Sequence, residues 1–196
     1  MLSGRRLDLI DPSPLDIEIE DIAHGLARVP RWNGQTIGTN AFSVAEHSVI
    51  VEDICRQISK SFSPRNSLLA LLHDAPEYVI GDMISPFKTV LGDSYKSIEA
   101  RLENAIHLRF GLPASCPDNL KRTIKKADRI CAWFEATQLA GFTKTEANKL
   151  FGKPPAKITL TIRPLDIPSA QESFLARFNH LYKSMDMDGH LSLIHI

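Results

Sequence analysis

The sequence predicts an all-α fold, a single helical bundle with one short extended segment near residues 156–165. Three observations predict it. Apolar residues recur at three- and four-residue spacing through most of the chain. Ser, Thr and Pro stand where helices should begin, and Gly or Pro where they should end. Only "AKITLTIRPL" at 156–165 alternates and is rich in β-branched residues. The 196 residues are 43% hydrophobic and 23% charged, which suits one globular domain with one sizeable core.

Taken in order, residues 16–29 place Ile19, Ile22, Ala23 and Leu26 on one helical face and stop at Pro30. The next helix, 43–59, opens with Ser43 and Glu46 as a capping box and turns Val44, Ile50, Val51, Ile54 and Ile58 inward. Residues 63–75 start at Ser63 with Pro64 in the first turn and carry the apolar run Leu68–Leu72. A turn around Gly81 precedes a short helix in "SPFKTVL". The amphipathic stretch 94–110 ends at Gly111 and Pro113 and offers a face for a homodimer. Residues 118–140 form the longest helical pattern, closed by Gly141. Thr143 and Glu146 cap a short helix reaching Phe151, and Ser169 and Glu172 cap a final one through about Ser184. "LSLIHI" at 191–196 continues neither pattern and looks like a translated sequencing adapter. It is read as a non-native tail, and the domain as residues 1–190.

Charge narrows the function classes. Lys plus Arg and Asp plus Glu are 23 each, which argues against a general nucleic-acid or anionic-membrane binder. No apolar run approaches the roughly 18–20 residues that span a bilayer. The first residues lack the apolar stretch of a secretory signal. The cysteines are widely spaced with no CxxC. Cys55 and Cys131 read as reduced core residues, and the expected location is cytoplasmic.

The chemistry lies in polar residues set into apolar helices. His47 has Val44, Ile50, Val51 and Ile54 as helical neighbours, so its imidazole points inward. His73 and Asp74 follow the Leu68–Leu72 run directly, and Asp128 sits between Ala127 and Cys131, one turn after Ile124. A lone inward histidine is ordinarily a core residue with one hydrogen bond. A buried carboxylate is costly unless it is paired or bound to a cation. Residues His47, His73, Asp74 and Asp128, on three inward-facing helices, share one explanation if they bind one divalent ion. Mixed nitrogen and oxygen donors without thiolate suit Mn²⁺, Fe²⁺ or Co²⁺ better than Mg²⁺ or Zn²⁺.

Around them the residues alone leave alternatives. Glu77 and Asp82 are an exposed loop acid and a turn former, or acid–base groups beside a metal; Pro76 breaks the helix and frees Glu77 to reach the site. Arg31 is a surface residue after Pro30, or a bidentate fork for phosphate. Trp32 is a core plug or a ligand contact. Lys88, Lys125 and Lys126 could serve phosphate binding but read first as solvated surface, Glu46 as a helix cap, Cys131 as packing, and His24 and His107 as structural or exposed.

"RVPRWNG" (28–34), "SVAEHS" (43–48), "LLHDAPEYVIGD" (71–82) and "KKADR" (125–129) stand in the order of a known family's signatures. Over residues from about 20 to 135 the chain resembles the HD-domain metal-dependent phosphohydrolase superfamily, in its bacterial 5′-deoxynucleotidase-like branch. The resemblance implies an HD-domain helical bundle that hydrolyses the phosphate ester of small nucleotides. It matches His47, His73, Asp74 and Asp128 to the ligands of one divalent metal ion. Glu77 and Asp82 match acidic residues flanking the attacking water and the leaving group. Arg31 matches a phosphate-binding arginine, and Trp32 a residue near the sugar that disfavours a 2′-hydroxyl. The gap from His47 to His73 is shorter than the nucleotidase pattern, which leaves the pocket rim and the substrate open. A deoxynucleoside 5′-monophosphate is the expected substrate, with neither nucleic acid nor membrane as a partner. The alternatives are a dNTP triphosphohydrolase, a guanosine-tetraphosphate hydrolase, a cyclic-nucleotide phosphodiesterase, or a non-catalytic module that keeps a metal or nucleotide. A zincin-type protease is excluded because no HExxH occurs.

Overall fold

Buried apolar faces gather the helices around one of their number. The computed structural model describes residues 1–193, with side chains through 185 apart from Ser85; the expected non-native tail, 191–196, lies outside the residues whose side chains are described. A 3-10 turn at Pro14–Asp16 leads into α1 (Ile19–Leu26), and a second at Arg31–Gly34 precedes α2 (Val44–Ile58). Then come α3 (Pro64–Leu71), α4 (Glu77–Ile80), α5 (Ser85–Arg109), α6 (Asp118–Gln138), α7 (Lys144–Phe151) and α8 (Ile167–Leu193). The all-α expectation holds. α2 packs against α3, α6 and α8, α3 against α8, α1 against α4 and α8, and α7 lies along α6. Phe42, Ile54, Leu68, Leu71, Leu72 and Phe174 are among the fully buried side chains at the centre. At the far end of α2, buried Glu52 accepts from Arg177 at 2.8 and 2.9 Å, which ties α8 to α2 away from the site.

Helix boundaries moved where side chains captured backbone groups. The first helix starts at Ile19 rather than 16, because the Ile17 carbonyl accepts from Arg109 Nε at 2.8 Å and Glu18 is extended. α3 ends at Leu71 rather than 75. Pro76 disfavours helical backbone before it, and the His73 ring nitrogen Nδ1 takes the Ala70 carbonyl at 2.9 Å. His73 and Asp74 therefore sit in the turn between α3 and α4. The short helix and the 94–110 helix run together as α5, joined by non-helical backbone at Gly92. The last helix begins at Ile167, two residues before the expected Ser169 cap. Asp166 caps it instead, its Oδ1 accepting the Ser169 N–H at 2.8 Å.

The 156–165 segment, expected to be extended, opens on a turn at 156–157, with Ile158 N bonded to Pro155 O at 2.9 Å, then runs without regular secondary structure and joins no sheet. The Gln138 side chain acts as its neighbour, donating to Leu160 O at 2.8 Å and accepting from Ile162 N at 2.9 Å. Glu46 accepts from Leu165 N at 2.8 Å in addition to completing the expected capping box with Ser43, so it is more than a cap. Backbone groups that lack a strand partner are thus met by side chains. The isolated antiparallel bridge Pro30–Ser43, beside the 2.8 Å bond from Arg31 N to Phe42 O, fixes the Arg31–Gly34 turn against the start of α2.

Candidate metal centre and active site

Three segments bring the predicted ligands together: α2 supplies His47, the α3–α4 turn His73 and Asp74, and α6 Asp128. The wholly buried Leu68, Leu71 and Leu72 anchor α3 so that the turn at its end is held rigidly. His47 Nε2 lies 3.4 Å from Asp74 Oδ2 and 3.3 Å from Asp128 Oδ1, and His73 Nε2 lies 3.2 Å from Asp74 Oδ2. Donors each about 2.1 Å from one ion stand roughly 3.0–3.4 Å apart, so these atoms suit a shared cation. Burial alone would raise Asp74, but the His73 and His47 imidazoles outweigh it and hold its pKa well below the usual range.

The nitrogens decide whether a metal fits. His47 Nδ1 donates to Glu135 Oε1 at 2.6 Å, and His73 Nδ1 donates to the Ala70 carbonyl. A carboxylate and a carbonyl only accept, so each ring donates from Nδ1 and turns Nε2 into the cluster, where a bound cation would take its lone pair. Both Nε2 atoms are buried with no hydrogen-bond partner. Ring nitrogens without a hydrogen bond, set beside two carboxylates, fit a divalent cation, and Nδ1 bonds of this kind orient metal-bound histidines. A second group, His47, Cys131 and Glu135, is also close enough to share an ion. Its atoms are already committed: Cys131 Sγ contacts Glu135 Oε1 at 3.1 Å, and burial together with Glu135 pushes the thiol up to about 12. The sequence reading of Cys131 as packing agrees with that arrangement.

The cluster opens between two cavities that share Asp74, Glu77, Lys125 and Asp128. One, of about 490 Å³, holds Arg31, Trp32 and Asp82. The other, of about 470 Å³, extends past His73 toward Lys96, Glu99 and Lys121. Arg31 is part-buried, pairing with Asp82 Oδ2 at 3.0 Å and lying 3.5 Å from Glu135 Oε2. Burial would lower its pKa, but Glu135 and Asp82 outweigh that and keep the guanidinium charged. Asp82 reaches Arg31 because Gly81 adopts φ 76° and turns the chain back after α4. Glu77 is buried with Oε2 unpartnered, and burial together with Asp74 and Asp82 pushes its pKa up to about 9. Lys88 is not free surface: it lies 3.7 Å from Glu77 and bonds Glu99 at 3.0 Å.

With this geometry in view, the comparisons decide the family. The sequence profile of the 5′-deoxynucleotidase YfbR-like family matches residues 21–182. The chain belongs to the YfbR-like 5′-deoxynucleotidase family. An uncharacterized protein of Rhodobacter capsulatus is 54% identical over 94% of this chain and 95% of its own. The uncharacterized protein YfdR of Escherichia coli is 30% identical over 85% of each chain. The 4′-phosphooxetanocin A phosphatase of Priestia megaterium is 28% identical over 55% of this chain and 60% of its own. Family and relatives support a nucleotide phosphohydrolase. Among the described residues no helix is long and apolar enough to cross a membrane.

In this YfbR-like chain the sequence reading missed Glu135, the residue that links the parts of the site. It is wholly buried, accepting from His47 Nδ1 through Oε1 and from Trp32 Nε1 at 2.7 Å through Oε2. Burial would raise its pKa, but the Arg31 and His47 charges outweigh that and hold it down at about 2. The signal was present: Glu135 lies seven residues after Asp128, among Cys131, Ala132, Phe134 and Ala136, the same oddity that singled out Asp128. Trp32 is both things the sequence left open. Its ring packs against Phe142 and Phe151, and it also lines the Arg31 cavity. Its backbone is left-handed (φ 56°), a conformation costing about 1–3 kcal/mol that the bond to Glu135 helps hold.

Proposed function

We propose that this protein is a metal-dependent phosphomonoesterase that hydrolyses deoxynucleoside 5′-monophosphates. One observation carries the reading: two buried, unpartnered histidine nitrogens converge with Asp74 and Asp128 at the floor of a cavity that presents Arg31. His47, His73, Asp74 and Asp128 would hold the metal. A divalent ion there would supply charge neutralisation for the phosphoryl oxygens, a more acidic water, and a positive charge that counters the burial and the Asp74 charge raising Glu77, which frees that carboxylate to accept a proton. Mn²⁺, Co²⁺ or Fe²⁺ is the expected ion.

The remaining work falls to the chain's own groups. Arg31, held by Asp82 at Nη1 and by Glu135 at Nε, grips the phosphate with Nη2 and the remaining N–H of Nη1. Asp82 thus acts through Arg31, in place of the direct role expected for it. Glu77 takes the proton of the attacking water at Oε2 and returns one to the leaving O5′; such positioned groups contribute on the order of 10²–10⁴ in rate. Trp32 and Phe151 wall the cavity beside the phosphate, where the sugar and base would lie.

The test is a panel of nucleotides crossed with a panel of divalent metals, with released orthophosphate measured. Phosphate release from deoxynucleoside 5′-monophosphates only with added metal, and its loss in His73→Ala and Asp74→Ala, supports the reading. Tripolyphosphate, pyrophosphate or a linearised cyclic nucleotide as product would replace it with another HD-type hydrolase.

A further inference from the structure

Next to the Arg31 cavity runs a groove of about 540 Å³ that the proposed reaction leaves unused. Arg122, Lys125, Lys126, Arg129 and Lys153 line it, and no Asp or Glu does. The groove shares Lys125, Arg129 and Phe151 with the Arg31 cavity, so the two adjoin along those side chains. In a chain with equal numbers of acidic and basic residues, that is a marked local excess.

The ordinary reading is a solvated cationic face, and the arrangement differs from one in two ways. First, the cations form two walls. Arg122, Lys125, Lys126 and Arg129 follow three- and four-residue spacing along about 10 Å of α6, and Lys153 faces them from beyond the end of α7. Arg129 is drawn under that end, 3.5 Å from the Leu150 carbonyl and against Gly152. Second, the charges are unanswered. Elsewhere near the site cations meet carboxylates, as Lys88 does with Glu99, and the His73-side cavity sets Glu99 and Glu103 among its lysines. None of the five groove cations makes an ion pair among the described residues.

We infer that this groove binds a second phosphate of the substrate, beyond the one hydrolysed at the Arg31 cavity. The preferred substrate is then a nucleotide carrying at least two phosphates, the additional one on the 3′-hydroxyl or in a 5′-diphosphate. The inference rests on the proposed function for the identity of the first phosphate. Orthophosphate leaves in either case: water bonds to the scissile phosphorus, the 5′-ester bond of a 3′,5′-bisphosphate or the terminal anhydride bond of a 5′-diphosphate breaks, and the leaving oxygen takes a proton.

Calorimetry in EDTA, where no turnover occurs, gives the Kd of deoxyadenosine 5′-monophosphate, 3′,5′-bisphosphate and 5′-diphosphate at low salt. The wild type should bind one of the doubly phosphorylated ligands roughly tenfold more tightly than the monophosphate, and salt should erode the advantage. Which ligand gains identifies the position of the second phosphate. Lys126→Glu with Lys153→Glu should abolish the gain and leave monophosphate binding unchanged. A distal pair of the same charge change, Lys60→Glu with Arg65→Glu, should retain it. No gain in the wild type, or an equal loss in the distal pair, overturns the inference. A groove-dependent gain in a protein that releases no phosphate with any metal would keep the binding site and discard the phosphomonoesterase reading. Monophosphate hydrolysis without the gain would do the reverse.

Discussion

Replacing Glu135 with Gln tests how the site is held together. The side chain keeps its size but loses its charge and one of its two acceptor oxygens. Wild-type Glu135 accepts from both His47 Nδ1 and Trp32 Nε1. Gln can accept from one of them and presents its NH₂ to the other, so one buried donor is left facing a donor. Losing a hydrogen bond to a charged group costs about 1.5–3 kcal/mol. The carboxyl pKa, held from 4.5 down to about 2, corresponds to about 3 kcal/mol of stability at neutral pH. Because the folded value is lowered, that stability is present above pH 4.5 and lost as pH falls toward 2. Thermal melts should show Glu135→Gln clearly destabilised at pH 7, with the gap to wild type closing below pH 4.5. Losing a residue that orients a histidine ligand lowers metal affinity about 10–100-fold, which a Mn²⁺ or Co²⁺ titration reads directly. If the variant binds metal as tightly as wild type and melts at the same temperature, Glu135 orients nothing and the tautomer reasoning for His47 fails.

Other predictions use different parts of the molecule. Gly25 sits where α1 meets α4, and an added Cβ would lie 2.7 Å from the Tyr78 carbonyl oxygen and 2.8 Å from its Cβ. Gly25→Ala must therefore displace α4, costing about 1–3 kcal/mol in a melt and moving Glu77 with it. Arg31→Lys should keep the charge but lose the fork, raising KM for a nucleotide monophosphate about tenfold or more in a steady-state phosphate assay. Burial pushes the Cys55, Cys116 and Cys131 thiols up to about 12, 11 and 12. A thiol-titrating reagent at pH 8 should thus leave the native protein unlabelled and react with all of them in denaturant.

The fold was legible because each helix carried its own signals. Capping boxes at Ser43–Glu46 and Thr143–Glu146 and the Ser63–Pro64 start appear in the structure as read. The errors lie where a side chain takes a backbone group that periodicity assigns to a helix, as Arg109 does from far along the chain at Ile17 and His73 does locally at Ala70. The site was legible for a different reason: charge or imidazole in an apolar stripe is costly, and His47, His73, Asp74 and Asp128 show that cost in one dimension. Glu135 shows it too, but its partners lie 88 and 103 residues away, so nothing local tells a structural carboxylate from a functional one. Lys125 and Lys126 are exposed, as read; what no local pattern shows is that Lys153, beyond the next helix, lines the same groove.

The central claim is that His47, His73, Asp74 and Asp128 form a metal centre for phosphate-ester hydrolysis, and one measurement reaches it most directly. Purified protein stripped with EDTA is titrated with Mn²⁺ while orthophosphate released from a deoxynucleoside 5′-monophosphate is followed. Activity should be absent without metal, rise to saturation with one ion per chain, and stay absent in Asp74→Ala that remains folded by circular dichroism. Equal phosphate release with and without metal, or none at any metal concentration, would contradict the account.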